Sequence, residues 1–165
     1  MIYSRMVSLN GVKIKYDEGK IFVWRETKTK PSYWIELKGC VNKVNGYRHV
    51  RINYKLYLYH RVVYFIHNDD WDIDDTCRDN SIDHIDRDTL NNSIENLRVT
   101  THQENLWNTN SKGYSFHKTT GKYMARIMVN RKQKYLGVFE TEDEAHQAYL
   151  NAKAIHHRIP QANPL

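Results

Sequence analysis

The chain has 165 residues, which is room for one ordinary domain or for two or three small ones. Lys and Arg number 25 against 19 Asp and Glu, so the net charge is +6, which favours a polyanionic partner. No apolar run approaches the length of a membrane span and the N-terminus carries no signal-peptide core. These features lead us to expect a soluble cytoplasmic protein that does not associate with membranes.

Residues 1–53 read as β-rich. Val12-Lys13-Ile14-Lys15-Tyr16 alternates, Asp17-Glu18-Gly19 is a turn signal, and Ile21-Phe22-Val23-Trp24 resumes as a strand. Tyr33-Trp34-Ile35-Glu36-Leu37 is extended, and Gly39 and Asn45-Gly46 mark breaks. From Tyr47 to Tyr59 one parity holds Val50, Ile52, Leu56 and Leu58. The other holds His49, Arg51, Lys55, Tyr57 and Tyr59, which predicts a half-buried strand or hairpin with the basic and aromatic groups on the wetter face.

A short apolar helix is predicted over residues 60–66, followed by a polar loop over 68–80. Residues 69–88 hold nine aspartates, Asp83 and Asp86 among them. The two cysteines, Cys40 and Cys77, form no Cys-x-x-Cys pair; this argues against a thiolate zinc site, and reduced, buried thiols are expected. Ser81 to Ile85 reads as a strand end, residues 86–95 as a loop and Leu97-Arg98-Val99 as a second strand. The spacing Thr101-x-x-Glu104 is that of a capping box and predicts a helix start.

Asp83-His84 carries the chemistry. The pKa of an unperturbed histidine lies close to 7, so a histidine beside a carboxylate can activate water. A carboxylate and an amide oxygen suit a hard divalent cation rather than zinc. Asn96 and Asn105 follow His84 at intervals of 12 and 9 residues.

With Tyr59-His60-Arg61-Val62-Val63, Asp83-His84-Ile85-Asp86, Asn91-Asn92, Glu95-Asn96-Leu97-Arg98-Val99-Thr100 and Glu104-Asn105, the chain resembles the HNH nucleases over residues 54–108. The resemblance is to the phage homing endonuclease branch, in which Asp-His opens the motif and Asn replaces the final His. It implies a ββα-metal unit with His84 as general base. Asp83 and Asn105 would be ligands of one divalent metal, Mg²⁺ or alternatively Mn²⁺. Asn96 would fix the loop and orient His84 as part of the catalytic set. It further implies products with a 5′ phosphate and a 3′ hydroxyl. His60-Arg61 belongs to the matching text; Arg61 could hold a DNA phosphate or pair inside the core. Asn91 and Asn92 read as loop hydrogen-bonders.

Residues 109–113 read as a linker. Residues 112–135 then hold seven Lys or Arg and no Asp or Glu. Tyr123 to Val129 alternates, Asn130-Arg131-Lys132 is a hairpin turn, and Gln133 to Phe139 is a further strand. Thr141-x-x-Glu144 caps a helix whose apolar positions are Ala145, Ala148, Tyr149, Ala152 and Ile155. Lys122, Met124, Arg126 and Met128 share one strand face, leaving Lys118, Lys132, Lys134 and Tyr135 nearby.

Gly121-Lys122-Tyr123-Met124-Ala125-Arg126-Ile127, Tyr135-Leu136-Gly137-Val138-Phe139, Glu144-Ala145 and Ala148-Tyr149-x-x-Ala152 resemble an AP2 DNA-binding domain over residues 113–157. The resemblance implies that this sheet face enters the major groove of DNA. Tyr135 stands where a tryptophan is common, so a target sequence is not carried over.

The expectation is therefore an α+β protein. Its units are a β-rich region at 1–53, whose contact with DNA the sequence leaves open, an HNH nuclease domain at 54–108, a linker at 109–113 and an AP2-like three-stranded sheet plus helix at 114–158. The function expected is a site-specific, metal-dependent endonuclease of the homing type, encoded by a phage or mobile element and located in the cytoplasm (the host's, if phage-encoded), with double-stranded DNA as partner and no obligate protein partner. The rival readings are an AP2-type DNA-binding regulator with a degenerate nuclease part, and a non-specific or RNA-directed nuclease.

Overall fold

The computed structural model describes residues 5–159. The chain divides after His102 into two compact units.

The first unit opens with an antiparallel meander of β1 (Met6–Leu9), β2 (Val12–Asp17), β3 (Lys20–Arg25) and β4 (Tyr33–Glu36), adjacent in chain order. The turns from β1 to β2 and from β2 to β3 are two residues long and adopt left-handed φ throughout, at Asn10 and Gly11 (50° and 74°) and at Glu18 and Gly19 (46° and 79°). That geometry matches the twist of the strands that each turn joins. β5 (Cys40–Val41), β6 (Arg48–Ile52) and β7 (Lys55–Leu58) form a second sheet, and β7 runs directly into helix α1 (Tyr59–His67). β8 (Ser81–His84) pairs antiparallel with β9 (Leu97–Thr100), and a single 3-10 turn, Ile94–Asn96, precedes β9.

One core joins these parts. Ile14, Ile21 and Val23 of the meander pack with Val50 and Ile52 of the second sheet, with Val62, Val63 and Ile66 of α1, and with Ile82, Ile94 and Leu97 around β8 and β9. The Tyr59 hydroxyl accepts a hydrogen bond from the Ile21 backbone N–H at 3.0 Å and ties α1 to β3. The core spans residues on both sides of position 53, and the two compact units divide after His102.

The β6–β7 hairpin corrects the parity expected for residues 47–59. Its turn, Asn53-Tyr54, has two residues, so Val50 faces Tyr57 and Arg51 faces Leu56. Antiparallel partners across a two-residue turn have opposite parity. Tyr57 and Tyr59 therefore join Val50 and Ile52 inside, while Leu56 is exposed. Both cysteines are free and exposed, against the expectation of buried thiols. Cys40 lies on the two-residue strand β5 and Cys77 in the acidic loop.

The second unit holds helix α2 (His102–Trp107) from Gln103 onward, the sheet β10 (Tyr114–His117), β11 (Lys122–Val129) and β12 (Lys132–Phe139), and helix α3 (Glu142–His156). α3 begins with the capping box read from the sequence. Glu144 N–H donates to Thr141 Oγ1 and Thr141 N–H donates back to the Glu144 carboxylate. Ala145, Tyr149 and Ala152 turn inward, with Ile127 on β11 opposite them. Ile155, on the expected apolar stripe, is exposed.

Gly113 has a φ of +71°, and a Cβ there would lie 1.9 Å from the Tyr149 ring. Gly121 has a similar φ of +68° with nothing within 4 Å. Gly113→Ala should therefore destabilise the second unit by roughly 2–4 kcal/mol, from left-handed strain plus overpacking, and Gly121→Ala by only about 1 kcal/mol. Denaturant unfolding of both variants, with hydrogen exchange on residues 113–157, checks the ordering; equal losses would refute it.

Candidate active site

β-pairing sets the first contact. Asp83 on β8 lies opposite Arg98 on β9, and His84 lies opposite Leu97. Arg98 donates from Nε and Nη2 to Asp83 Oδ2, at 3.0 and 2.8 Å. Both residues are buried, so this ion pair is largely shielded from solvent, and its partners' geometry is fixed by the strand register.

His84 sits at the end of β8 with 4 % of its surface exposed. Its Nε2 lies 3.1 Å from Asn92 Oδ1, and Asn92 Nδ2 donates to the Leu90 carbonyl at 3.0 Å. The second bond fixes which end of the Asn92 amide faces the ring. An amide oxygen only accepts, so Nε2 carries the hydrogen, and in the neutral ring the lone pair is on Nδ1.

Asn96 closes the loop between the two strands. Its Oδ1 accepts from the Asp86 N–H at 3.0 Å, its Nδ2 donates to Asp86 Oδ1 and to the Asn91 carbonyl, both at 2.8 Å, and its carbonyl accepts from the Ile85 N–H at 2.9 Å. Asp86, left without a role by the sequence, is the other half of this brace. Partial burial pushes its carboxyl up. Hydrogen bonds from the Asn91 side chain, the Asp88 N–H and the Asn96 side chain outweigh that and hold it below the ordinary carboxylate range.

His60 on α1 packs edge-on against His84 with ring centroids 4.9 Å apart, and Tyr47 lies 5.2 Å from His60 and 6.0 Å from His84. His60 Nδ1 is buried without a hydrogen-bond partner. Burial, with smaller contributions from the charges of His84, Arg61 and His49, pushes the His60 pKa down to about 3. The ring is thus neutral at physiological pH.

Arg61 takes the core alternative that its sequence context left open. Nη1 donates to the Asn80 carbonyl at 3.0 Å, Nη2 donates to the carbonyls of Ile73 and Asp75 at 2.8 and 2.7 Å, and the guanidinium lies over the Trp71 ring. It clasps the acidic loop that leads into β8.

Asn105 is half-buried on α2, which from Gln103 onward belongs to the second unit. In that unit Lys118, Arg126, Lys132, Lys134 and Tyr135 are exposed and Lys122 is half-buried beside Glu140. Arg126 and Gln133 face the same recess, with Ser115 and Met124 on its wall. Arg126 Nη1 lies 3.4 Å from Gln133 Oε1.

Among the described residues no group of three or more His, Cys, Asp or Glu could hold a metal. A carboxylate already sharing one oxygen with Arg98 suits a hard cation that keeps most of its water and takes phosphate oxygens, and it does not suit a structural zinc.

Residues 57–106 match the family model of HNH endonucleases. The match supports a nuclease acting on DNA. The matched stretch runs from Tyr57 to Leu106 and holds Asp83, His84, Asn96 and Asn105. No curated protein and no solved structure matches the chain.

The sequence alone assigns no role to Arg98 or His60 and marks Asn92 only as a loop residue. Arg98 is within reach once β8 and β9 are paired in register. Asn92 is not, since only the loop's path brings it to His84.

Below the ordinary histidine pKa of about 6.5 the unfolded chain protonates His60, while the folded chain resists down to about 3. The unfolded state binds more protons in that window, so this contribution to stability is complete above pH ~6.5 and is lost as the pH falls towards 3. Between pH 7 and 4.5 the wild type should lose ~2 kcal/mol more than His60→Phe. Urea unfolding at the two pH values measures the difference; equal losses would remove His60 as the acid-sensitive group.

Proposed function

We propose that the chain is a site-specific DNA endonuclease of the HNH homing type, encoded by a phage or mobile element and acting in the cytoplasm. The observation that carries this reading is His84, held by Asn92 with Nδ1 as the basic nitrogen and followed by the Asn96 brace, inside the stretch that matches HNH endonucleases. Asp83 and, on motif spacing alone, Asn105 would hold one Mg²⁺ or Mn²⁺. Such a cation supplies positive charge against the charge that builds on the phosphate.

The chain's own residues supply the rest. His84 Nδ1 takes a proton from water as the water oxygen attacks phosphorus in line. The bond from phosphorus to the 3′ oxygen breaks, leaving a 5′ phosphate and, once the departing oxygen is protonated, a 3′ hydroxyl. Asn92 keeps His84 in the tautomer this requires. Asn96 and Asp86 hold the loop that carries Asn92, so the base meets water in one orientation. Asp83 is held by Arg98, which stops the carboxylate from turning towards His84.

In the second unit, the exposed basic sheet face with Arg126, Gln133, Lys132, Lys134 and Tyr135 supports the AP2-like reading. Arginine reads guanine and glutamine reads adenine in the major groove. The resemblance places that face on duplex DNA, and its lysines would meet phosphates.

His84→Ala should abolish plasmid cleavage in Mg²⁺ and change DNA affinity by no more than a few-fold, because the base acts on water. EDTA should stop the wild type. Asn92→Leu should lower kcat by about 10- to 100-fold with little change in KM, since it removes only the ring's anchor. Near-normal cleavage by His84→Ala, or full activity in excess EDTA, would sink the mechanism.

Arg126→Ala should relax sequence preference by about 1–3 kcal/mol at one base pair, whereas Lys132→Ala should weaken all sequences alike and flatten the salt dependence by about 0.9. Competition binding on target and scrambled duplexes across a salt series tells the two apart. Identical effects of the two substitutions would remove the reading face.

A further inference from the structure

Strand alternation in the N-terminal meander sends Ile14, Ile21 and Val23 into the core. The opposite face should be polar if it only met water. Instead it carries Phe22 and Trp24 on β3 and Trp34 on β4, all half-buried and none of them in a core cluster. Trp24 and Trp34 are direct cross-strand partners with ring centroids 5.2 Å apart. Lys15, paired with Phe22 across the ladder, lays its ammonium 5.3 Å from the Phe22 ring and 5.4 Å from the Trp34 ring. Three aromatic rings and a cation thus occupy adjacent positions on one side of a four-stranded sheet.

The surrounding charge is mostly of one sign. Residues 5–38 hold eight Lys or Arg against four Asp or Glu. Lys28 and Lys30, on the connection from β3 to β4, are exposed, and among the described residues neither forms an ion pair. Lys15 sits 3.0 Å from Asp17 and Lys20 sits 3.9 Å from Glu36. Lys20 and its partner are exposed enough for that pair to contribute little, and a phosphate can take the place of either carboxylate.

We propose that this sheet face is a binding surface for an unpaired nucleic-acid strand, with bases stacking on Trp24, Trp34 and Phe22 and phosphates meeting Lys15, Lys28 and Lys30. The positive charge calls for a polyanion and the rings call for flat apolar partners. A single strand offers both along its length. In a duplex the base faces are already stacked on one another. An acidic peptide would satisfy the lysines and leave the rings without partners. Stacking of this kind tolerates sequence, because every base has a π-face. The surface goes beyond the duplex-cutting reading and does not depend on His84.

The test uses the full chain carrying His84→Ala, so that no probe is cut. The probes are a fluorescent 20-nucleotide oligodeoxythymidine, a duplex of the same length, and inorganic polyphosphate as competitor. The oligodeoxythymidine should bind and quench tryptophan emission, and polyphosphate should compete only weakly. Trp24→Leu with Trp34→Leu should lower single-strand affinity by about 10- to 100-fold at fixed salt while leaving duplex affinity unchanged. Trp34→Tyr, which keeps a ring, should retain most of the affinity. Lys28→Gln with Lys30→Gln should reduce the salt slope by about 0.7 for each phosphate that the lysines no longer neutralise.

Unchanged single-strand binding in the folded double-leucine variant overturns the proposal. So does equal displacement by polyphosphate, or oligodeoxythymidine binding with unaltered tryptophan emission in the parent chain. The last needs no tryptophan substitution and holds even if the leucine variant does not fold. Plasmid cutting by the unsubstituted chain separates the two readings. If that chain does not cut while its His84→Ala form binds oligodeoxythymidine, the nuclease reading alone fails; if it cuts while no oligodeoxythymidine binds, this surface alone fails.

Discussion

Asn96 closes the loop between β8 and β9 from within. One side chain and one carbonyl take up the N–H groups of Ile85 and Asp86 and reach the carbonyl of Asn91, so the turn after His84 has a single path. Asp86 completes the brace from the other side and also receives Asn91 and the Asp88 N–H. Everything that orients His84 depends on this closure. Asn92 reaches the imidazole only because the loop is held at Asn91, and the tautomer of His84 follows from Asn92. The direction of the His84 ring's lone pair is thus set through the Asn92 amide.

Behind the loop, the packing makes the base region rigid. α1 lies against both the meander and the β8–β9 hairpin, and its His60 meets His84 ring to edge. His60 is kept neutral by burial, so it adds bulk beside the base without adding a charge. Arg61, the next residue, turns to the acidic loop and satisfies three of its carbonyls, which fixes the chain as it enters β8. Adjacent residues on one helix thus brace the site from two directions. The N-terminal meander contributes Ile14, Ile21 and Val23 to the same core, so it is part of the scaffold of the site and its outer face is open to other use.

Charge is distributed to match a polyanionic substrate. The acidic stretch of residues 69–88 would repel DNA if it were left bare. Arg61 lies among its backbone carbonyls, Lys55 pairs with Asp74 at 2.7 Å, and Arg98 pairs with Asp83. The flanking stretches, residues 5–38 and 112–135, are both basic. The paired cations Lys55 and Arg98 screen the acidic segment.

Much of this was legible in the sequence, because local rules govern it. The turn at Asp17-Glu18-Gly19, the alternation of Val12 to Tyr16, the capping box at Thr141 and the order strand, loop, strand, helix around Asp83-His84 all depend on neighbours within a few residues. The Asp-His pair and its asparagines were visible for the same reason, as a fixed spacing of chemical types. Tertiary structure decided what depends on register and path. A two-residue turn at Asn53-Tyr54 exchanged which parity of β7 faces inward, so Tyr57 is buried and Leu56 is not. Strand pairing gave Asp83 the partner Arg98, 15 residues away. The folded loop chose Asn92 as the anchor of His84, and the shared core joined the N-terminal meander to the nuclease-like segment. Such interactions are made between residues distant along the chain, and no pattern within a short window of sequence records them.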